Sequence, residues 1–498
     1  MSDLTLNLTA PNGLNYMQPI GLFINNEFVK SASRVKLSTI DPATEAEIAS
    51  VYAASTDDVD VAVKAARKAF NEPSWAGISS TDRGNLLLKL ASLVEENAHH
   101  LATIESWDNG KPYIHALNVD IPAVANTFRY YGGWADKIQG DVIETSPQKL
   151  TYTIREPVGV CGQIIPWNFP LAMAAWKLGP ALACGNTSVL KPAEQTPLSI
   201  LYLATLIKEA GFPPGVVNIL NGHGRTTGDA IATHVDVDKV AFTGSTATGR
   251  QIMRSAALNL KNITLETGGK SPLLVFNDAD LKSAVAWAHT GIMFNQGQVC
   301  TANSRILIQE GIYDRFLVAF KEQVKKVSKI GNPFDDATFQ GPQVTQAQFD
   351  RIVSYIDSGI AEGACLAYGG KPYKNVNGKG FFIEPTIFTN VKDEMKICQE
   401  EVFGPFVVIS PFKTEEEAVR RANDTPFGLA SSVFTQDIKK AHRVARAIQA
   451  GMVWINSSGD SDFRIPFGGV KQSGMGRELG EAGLAAYTNL KAVHVNLS

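Results

Sequence analysis

The chain has 498 residues, 44% of them apolar and 19% charged, with a formal net charge of −3. That is an ordinary globular composition, long enough for two or three domains. The near-neutral charge gives no electrostatic case for nucleic acid or an anionic membrane as a partner. The five cysteines (Cys161, Cys184, Cys300, Cys365, Cys398) lie far apart with no Cys-x-x-Cys pair. This argues against a disulfide framework and against a zinc site, so a reducing compartment and no metal are expected. The first basic residue is Lys30, which excludes a basic signal-peptide start or an Arg-rich transit peptide at this end. No apolar run approaches the ~20 residues needed to span a bilayer. The expectation is a soluble, cytoplasmic protein.

After a polar leader, Asp57-Asp58 opens a segment with Val59, Val63, Ala66 and Phe70 at helical spacing, its acids suited to the helix dipole. Thr81 begins a second helical stretch, with Leu86, Leu90, Leu93 and Val94 on one stripe, expected to run to the stop signal Asn109-Gly110-Lys111-Pro112. From about residue 158 the rhythm changes. Val158–Ile165, Thr187–Leu190, Val216–Leu220 and Lys239–Phe242 read as buried parallel strands, with helices such as Ile200–Ala210 between them. This βαβα alternation predicts a doubly wound sheet whose ligand crevice lies outside the carboxyl ends of its strands. A second α/β series follows from about Ser271, with strands near Arg305–Gln309, Phe406–Ser410, Ser431–Phe434 and Met452–Ile455. Thr151–Arg155 and Lys491–Asn496 alternate like exposed strands.

Three motifs carry chemistry. Cys300 sits in Phe294-Asn295-Gln296-Gly297-Gln298-Val299-Cys300-Thr301, and Glu266 in Leu265-Glu266-Thr267-Gly268-Gly269-Lys270. A thiol and a carboxylate beside glycines suggest a nucleophile and a base at chain reversals. Pro166-Trp167-Asn168-Phe169-Pro170 adds an amide able to donate to an oxyanion. Together they read as covalent thiol catalysis followed by hydrolysis. Strand Lys239–Phe242 runs into Thr243-Gly244-Ser245-Thr246-Ala247-Thr248-Gly249 and a helix from Arg250. Small residues at such a turn let backbone N–H groups approach a pyrophosphate.

In their order and spacing these motifs resemble the aldehyde dehydrogenase superfamily, in particular its NAD-dependent class 1/2-like, fungal-type members. The resemblance runs from Gly21-Leu22-Phe23-Ile24-Asn25 to Ala486-Tyr487-Thr488-Asn489-Leu490. It implies an α/β aldehyde dehydrogenase-like fold of two Rossmann-like domains plus a small β oligomerisation arm. The expected NAD-binding domain is 1–138 with 158–269, the catalytic domain 270–469, and the arm 139–157 with 480–498. Homotetramer (dimer of dimers) or homodimer formation through that arm is the implied assembly.

The implied reaction is NAD-dependent oxidation of an aldehyde to its acid, with Cys300 as nucleophile, Asn168 as oxyanion donor and Glu266 as general base. Lys177 and Glu478 match positions around the base's proton route. Cofactor contacts are expected from Ile165, Pro166, Trp167, Gly224, Gly228, Phe242, Gly244, Ser245, Thr248, Glu266 and Gly268. Glu401 would hold the nicotinamide ribose and Phe403 pack beside it. Lys191 and Glu194 follow a strand end and suit the adenosine ribose; the Glu194 charge favours NAD over NADP, which stands as the weaker alternative. Thr267 departs from the larger aliphatic residue that relatives commonly carry after the base.

Phe169, Met173, Trp176 and Phe294 map onto the family's substrate channel, with Val299 and Thr301 as small walls and Ser461 and Phe467 closing it. An apolar channel favours small-to-medium aliphatic or aromatic aldehydes. The loop Ser457–Arg464 is polar, so a semialdehyde dehydrogenase acting on a charged tail is the alternative substrate reading. A coenzyme A-acylating enzyme is disfavoured by Glu266, which activates water. A cysteine hydrolase would need a histidine in a motif with Cys300, and none is present. A catalytically silent structural member of the fold would be expected to lose Cys300, Glu266 or Asn168, and all three are retained.

Overall fold

The computed structural model describes residues 4–374 and 378–498. Its first large sheet has eight strands. Five of them, in the spatial order Asn262–Glu266, Lys239–Thr243, Val160–Ile164, Thr187–Lys191 and Val217–Ile219, are parallel. The hairpin Leu22–Ile24/Glu27–Val29 adds antiparallel strands at one edge, and Gly474–Met475 adds one at the other. Strands Val160–Ile164, Thr187–Lys191 and Lys239–Thr243 are buried at every position. That explains why they read as continuous apolar runs rather than as alternating ones. Counted along the chain the parallel strands lie 3-2-1-4-5, so the order reverses between Val160–Ile164 and Lys239–Thr243. A crevice must open beyond their carboxyl ends at that point.

The second sheet has seven strands, in the order Cys365–Tyr368, Thr386–Thr389, Phe406–Phe412, Arg305–Gln309, Pro272–Val275, Ala430–Phe434 and Met452–Ile455. All pair in parallel except the first. A third, three-stranded sheet joins Val142–Ser146, Lys149–Pro157 and Thr488–Asn496, the last two antiparallel from Thr488↔Pro157 to Asn496↔Lys149.

Helix starts follow local chemistry. Ser55 and Asp58 form a capping box on Thr56–Asn71, satisfying two otherwise orphaned N–H groups. Ser245 caps Thr246–Ala256. One expectation needs correction: the stretch from Thr81 is not one helix to Asn109. Ser80–Glu96 ends at Asn97 and Ala98–Asn109 begins anew. Asn97 donates to the Leu93 carbonyl from both its backbone N–H at 3.0 Å and its Nδ2 at 2.9 Å, a side-chain bond to the backbone that closes the helix. The second helix then stops at Gly110, φ 87°, a left-handed cap that glycine adopts without steric cost.

Candidate active site

Beyond the reversal in strand order lies a cavity of about 710 Å³ that runs past Cys300. Its walls come from the carboxyl ends of both central strands of the first sheet and from loops of the second. The nucleophile loop is sharply folded: Asn295, Gln296 and Gly297 have φ of 50°, 57° and 70° in succession. A Cβ on Gly297 would lie 1.9 Å from the Gly404 carbonyl oxygen, so only glycine fits there. Buried Asn295 ties the loop down, its Nδ2 donating to the Asn168 and Gln298 carbonyls at 3.1 and 3.2 Å. Strain of this kind, held by buried hydrogen bonds, presents Cys300 to the cavity.

Burial holds the Cys300 thiol well above its usual pKa, and the Glu266 and Glu401 carboxylates push the same way; the backbone N–H groups of Thr301 and Cys300 oppose them. The resting sulfur is therefore a thiol that needs a proton acceptor. Glu266, the last residue of Asn262–Glu266, is 3% exposed. Neither of its carboxylate oxygens has a hydrogen-bond partner among the described residues. Burial first, then the Glu478 charge, raise its pKa well above the ordinary range, while Lys177 and the Cys300 thiol lower it. A carboxyl so placed is a good proton acceptor once ionised.

Asn168 is buried, and its Nδ2 donates to the Gln298 carbonyl at 3.0 Å. A side-chain amide has two N–H bonds, so one remains for a substrate oxygen. Lys177, fully buried, donates to Thr243 Oγ1 at 2.7 Å and pairs with Glu478. Glu478 keeps one buried oxygen without a partner among the described residues.

The aldehyde dehydrogenase family model matches residues 28–493. The chain belongs to the aldehyde dehydrogenase family. It is 56% identical to an aldehyde dehydrogenase of Emericella nidulans, covering 100% of this chain and 99% of that protein. Retinal dehydrogenase 2 of Homo sapiens is 53% identical, over 96% of this chain and 92% of its own length. The NAD+ complex of an aldehyde dehydrogenase from Bacillus cereus superposes with a TM-score of 0.94 at 50% identity, covering 96% and 97% of the two chains.

For a member of this family the cofactor side of the cavity can be tested residue by residue. Pro166, Trp167, Gly244, Ser245, Gly268, Glu401 and Phe403 all line it. A Cβ on Gly268 would stand 2.1 Å from Glu401 Oε2, so glycine is what lets that carboxylate lie against the backbone. Glu401 Oε1 accepts from the Gly269 N–H at 2.9 Å, and burial pushes its pKa up to about 7. The Trp167 and Phe403 rings meet edge-on, 5.3 Å apart.

Glu266 lines the cavity too, whereas Ile165, Lys191, Glu194, Gly224, Gly228, Phe242 and Thr248 lie outside it. Lys191 ends the neighbouring strand and Glu194 follows it, with Lys191 Nζ 3.5 Å from Glu194 Oε2 and 2.9 Å from the Pro192 carbonyl it donates to. Burial lowers the Lys191 pKa, against the pull of Glu194. Ile165 donates its N–H to the Lys191 carbonyl, tying these two strand ends together. Gly224 and Gly228 bound a short π-helical turn whose Gly228 end lies beside Lys191. Phe242 packs under Gly244, and Thr248 donates its N–H to the capping Ser245. A strand-end crevice, a capped helix N-terminus and a buried lysine paired with a partly exposed carboxylate fit a dinucleotide.

At the opposite end Phe169, Met173, Trp176, Phe294, Val299 and Thr301 reach the cavity, as do Ser461 and Phe467. Trp176 and Phe467 pack edge-on at 4.8 Å, and Phe169 stacks on Phe294 at 6.5 Å. Sequence reasoning missed Asn118, Val119 and Asp120, carried in by the π-helical turn Ala116–Asp120. It also missed Gln348 and Arg351, which donate to the Phe403 and Glu401 carbonyls at 2.8 Å each. A π-helical turn at a site is a recurrent signal in a structure, but no local sequence pattern announces it. Thr267 lines the cavity and donates its hydroxyl to the Gln472 carbonyl at 2.8 Å. No group of His, Cys, Asp and Glu side chains among the described residues is arranged to hold a metal ion.

Proposed function

We propose that this chain oxidises aldehydes to carboxylic acids with NAD through covalent catalysis at Cys300. The observation that carries the reading is the convergence of Cys300, Glu266 and Asn168 on one cavity that continues to the strand-end crevice. Cys300 Sγ attacks the aldehyde carbon, the S–C bond forms as the thiol proton leaves to Glu266, and the carbonyl electron pair moves onto oxygen. The resulting thiohemiacetal oxyanion is met by the Asn168 amide and the Cys300 N–H. The chemistry NAD supplies when bound is acceptance of the hydride from this carbon, which leaves an acyl group on Cys300 as a thioester. Once Glu266 has passed the thiol proton on, it takes a proton from water, the hydroxyl adds to the acyl carbon, and the S–C bond breaks as Glu266 returns that proton to sulfur, restoring the thiol and releasing the acid. The Lys177–Glu478 pair, whose charges act directly on Glu266, offers the proton a route onward.

Aliphatic and aromatic aldehydes are the favoured substrate class. The channel walls are largely aromatic, and the two aspartates that line it already have cations: Asp120 pairs with Lys111 at 2.5 Å and Asp462 with Arg464 at 2.7 Å. Little charge is left over to read a charged tail. The test follows NADH absorbance across aldehydes of graded length and charge; preferential turnover of charged semialdehydes would overturn the apolar assignment.

Glu194→Ser is expected to raise the kcat/KM ratio for NADP over NAD. The Coulomb penalty against a 2′-phosphate at 4 Å is ~1–4 kcal/mol, and the partial exposure of Glu194 selects the lower part of that range, about five- to tenfold. An unchanged ratio would show that Glu194 does not face the ribose.

The assembly we propose is a homotetramer or homodimer joined through the three-stranded sheet. That sheet leaves Val142 78%, Ile143 49%, Leu150 42% and Leu490 58% exposed, an apolar surface that monomers rarely leave uncovered. Replacing Val142 and Leu490 together by lysine is expected to dissociate the assembly in sedimentation velocity, and an unaltered sedimentation coefficient would refute this contact. A cytoplasmic location is part of the proposal, supported by five free thiols. No helix among the described residues is long and apolar enough to cross a membrane.

A further inference from the structure

The oxyanion motif is held from behind by a stretch of chain that does not line the cavity. Asn109, at the end of helix Ala98–Asn109 and fully buried, donates from Nδ2 to the Trp167 carbonyl at 2.6 Å, while its Oδ1 accepts from the Lys111 N–H at 3.2 Å. The left-handed turn at Gly110 brings Lys111 back beneath the motif, where its buried ammonium lies 4.2 Å from the centre of the Phe169 ring and 2.5 Å from Asp120 Oδ2. Ser106 Oγ donates to the Lys111 carbonyl at 2.6 Å and locks the turn. One helical turn earlier, Glu105 Oε1 accepts the Leu171 N–H at 3.2 Å. Residues 105–111 thus hold positions 167, 169 and 171, alternately along the segment, and Asn168 lies between two of the held positions.

Residues 165–169 have no repetitive structure of their own: Phe169 has φ −139° and ψ 67° at the mouth of helix Pro170–Ala183. Without outside partners their backbone would be free to rotate, and the Asn168 amide would swing with it. Asn168 is held by its amide's bond to Gln298 and by Asn295 at its own carbonyl, which leaves the Trp167 carbonyl as the anchor on its N-terminal side.

We propose that Asn109 is a positioning residue for the Asn168 amide: its bond to the Trp167 carbonyl sets the peptide from which the oxyanion donor projects. Lys111 and Glu105 set the two flanking points. The inference rests on the oxyanion role proposed for Asn168. Displacement of a reacting group by about 1 Å costs ~10²-fold in rate, so losing this bond without losing Asn168 is expected to lower kcat by ~10- to 100-fold. The KM for NAD stays as in the unaltered enzyme.

The test is a double-mutant cycle on kcat of the full-length enzyme, with Asn109→Ser, Asn168→Ala and the combination. Asn168→Ala is expected to lower kcat by ~10²-fold or more, and Asn109→Ser to add nothing further in its presence. Multiplicative losses would show that Asn109 acts through general stability, and would overturn the proposal. A costly Asn168→Ala beside a harmless Asn109→Ser would overturn the positioning role alone, whereas a harmless Asn168→Ala would overturn the oxyanion reading and this inference with it. If the serine variant does not fold, Asn109→Asp keeps the volume and the acceptor for the Lys111 N–H while replacing the amide donor. The same cycle is then read on that variant.

Discussion

Cys300→Ala is expected to abolish dehydrogenase turnover and leave NAD affinity unchanged. The loss is complete because every covalent step passes through the sulfur: without it no S–C bond forms and no thiohemiacetal carbon is presented for oxidation. Affinity persists because the residues proposed to hold the dinucleotide, from Lys191 and Glu194 to Glu401, sit on elements other than the loop Phe294–Gly297 that folds before the nucleophile. The left-handed turn at Asn295, Gln296 and Gly297 is kept in place by Asn295 and by the close approach of Gly404, neither of which involves the thiol. Calorimetric titration with NAD and a turnover assay on the same preparation separate the two effects. Residual turnover at wild-type level would sink the covalent mechanism, and lost NAD binding would mean that the thiol also shapes the dinucleotide site.

Much of this arrangement was legible in the sequence because its causes are local. Buried parallel strands must be apolar on both faces, so Val160–Ile164, Thr187–Lys191 and Lys239–Thr243 stood out as runs, and their order along the chain led to the doubly wound reading. Gly110 and Pro112 ended a helix visibly, whereas the break at Asn97 sits in Glu95-Glu96-Asn97-Ala98-His99 with neither glycine nor proline to mark it. Asn262–Glu266 passed unnoticed as a strand, since its exposed, polar start lacks the apolar run that its neighbours have. In the site, Cys300, Glu266 and Asn168 were legible because each sits in a short run of characteristic sequence neighbours. Gln348 and Arg351 carry no such mark. They reach the Glu401–Phe403 backbone from helix Gln346–Ala361 across about fifty residues of chain, a contact that only tertiary packing creates. The loop Ser457–Arg464 shows the converse: its acids read as a binding surface, but Asp462 is bonded to Arg464 two residues away.

Glu266→Gln is expected to give one rapid burst of NADH and then stall. Oxidation of the Cys300-bound carbon precedes hydrolysis, so the first half-reaction can run when the thiol finds another proton acceptor, while deacylation has lost its base. A well-placed base contributes ~10²–10⁴-fold, and the steady-state rate should fall by that order while an acyl-enzyme accumulates. Mass spectrometry of the quenched protein would show the acyl adduct on Cys300; a stalled enzyme with no adduct and normal deacylation would refute the role. The pH dependence supplies an independent check. Only the ionised carboxylate can accept the water proton, and burial together with the Glu478 charge raises the pKa of Glu266 well above that of an ordinary glutamate. The group is thus still protonated at pH values where an exposed glutamate has ionised, and the deacylation rate of the unaltered enzyme should climb as pH rises through the elevated pKa. In Glu266→Gln, which has no titrating group at this position, that climb should disappear. Replacing Glu478 by glutamine should move it to lower pH, because the raised pKa of Glu266 owes its second-largest contribution to that neighbouring charge.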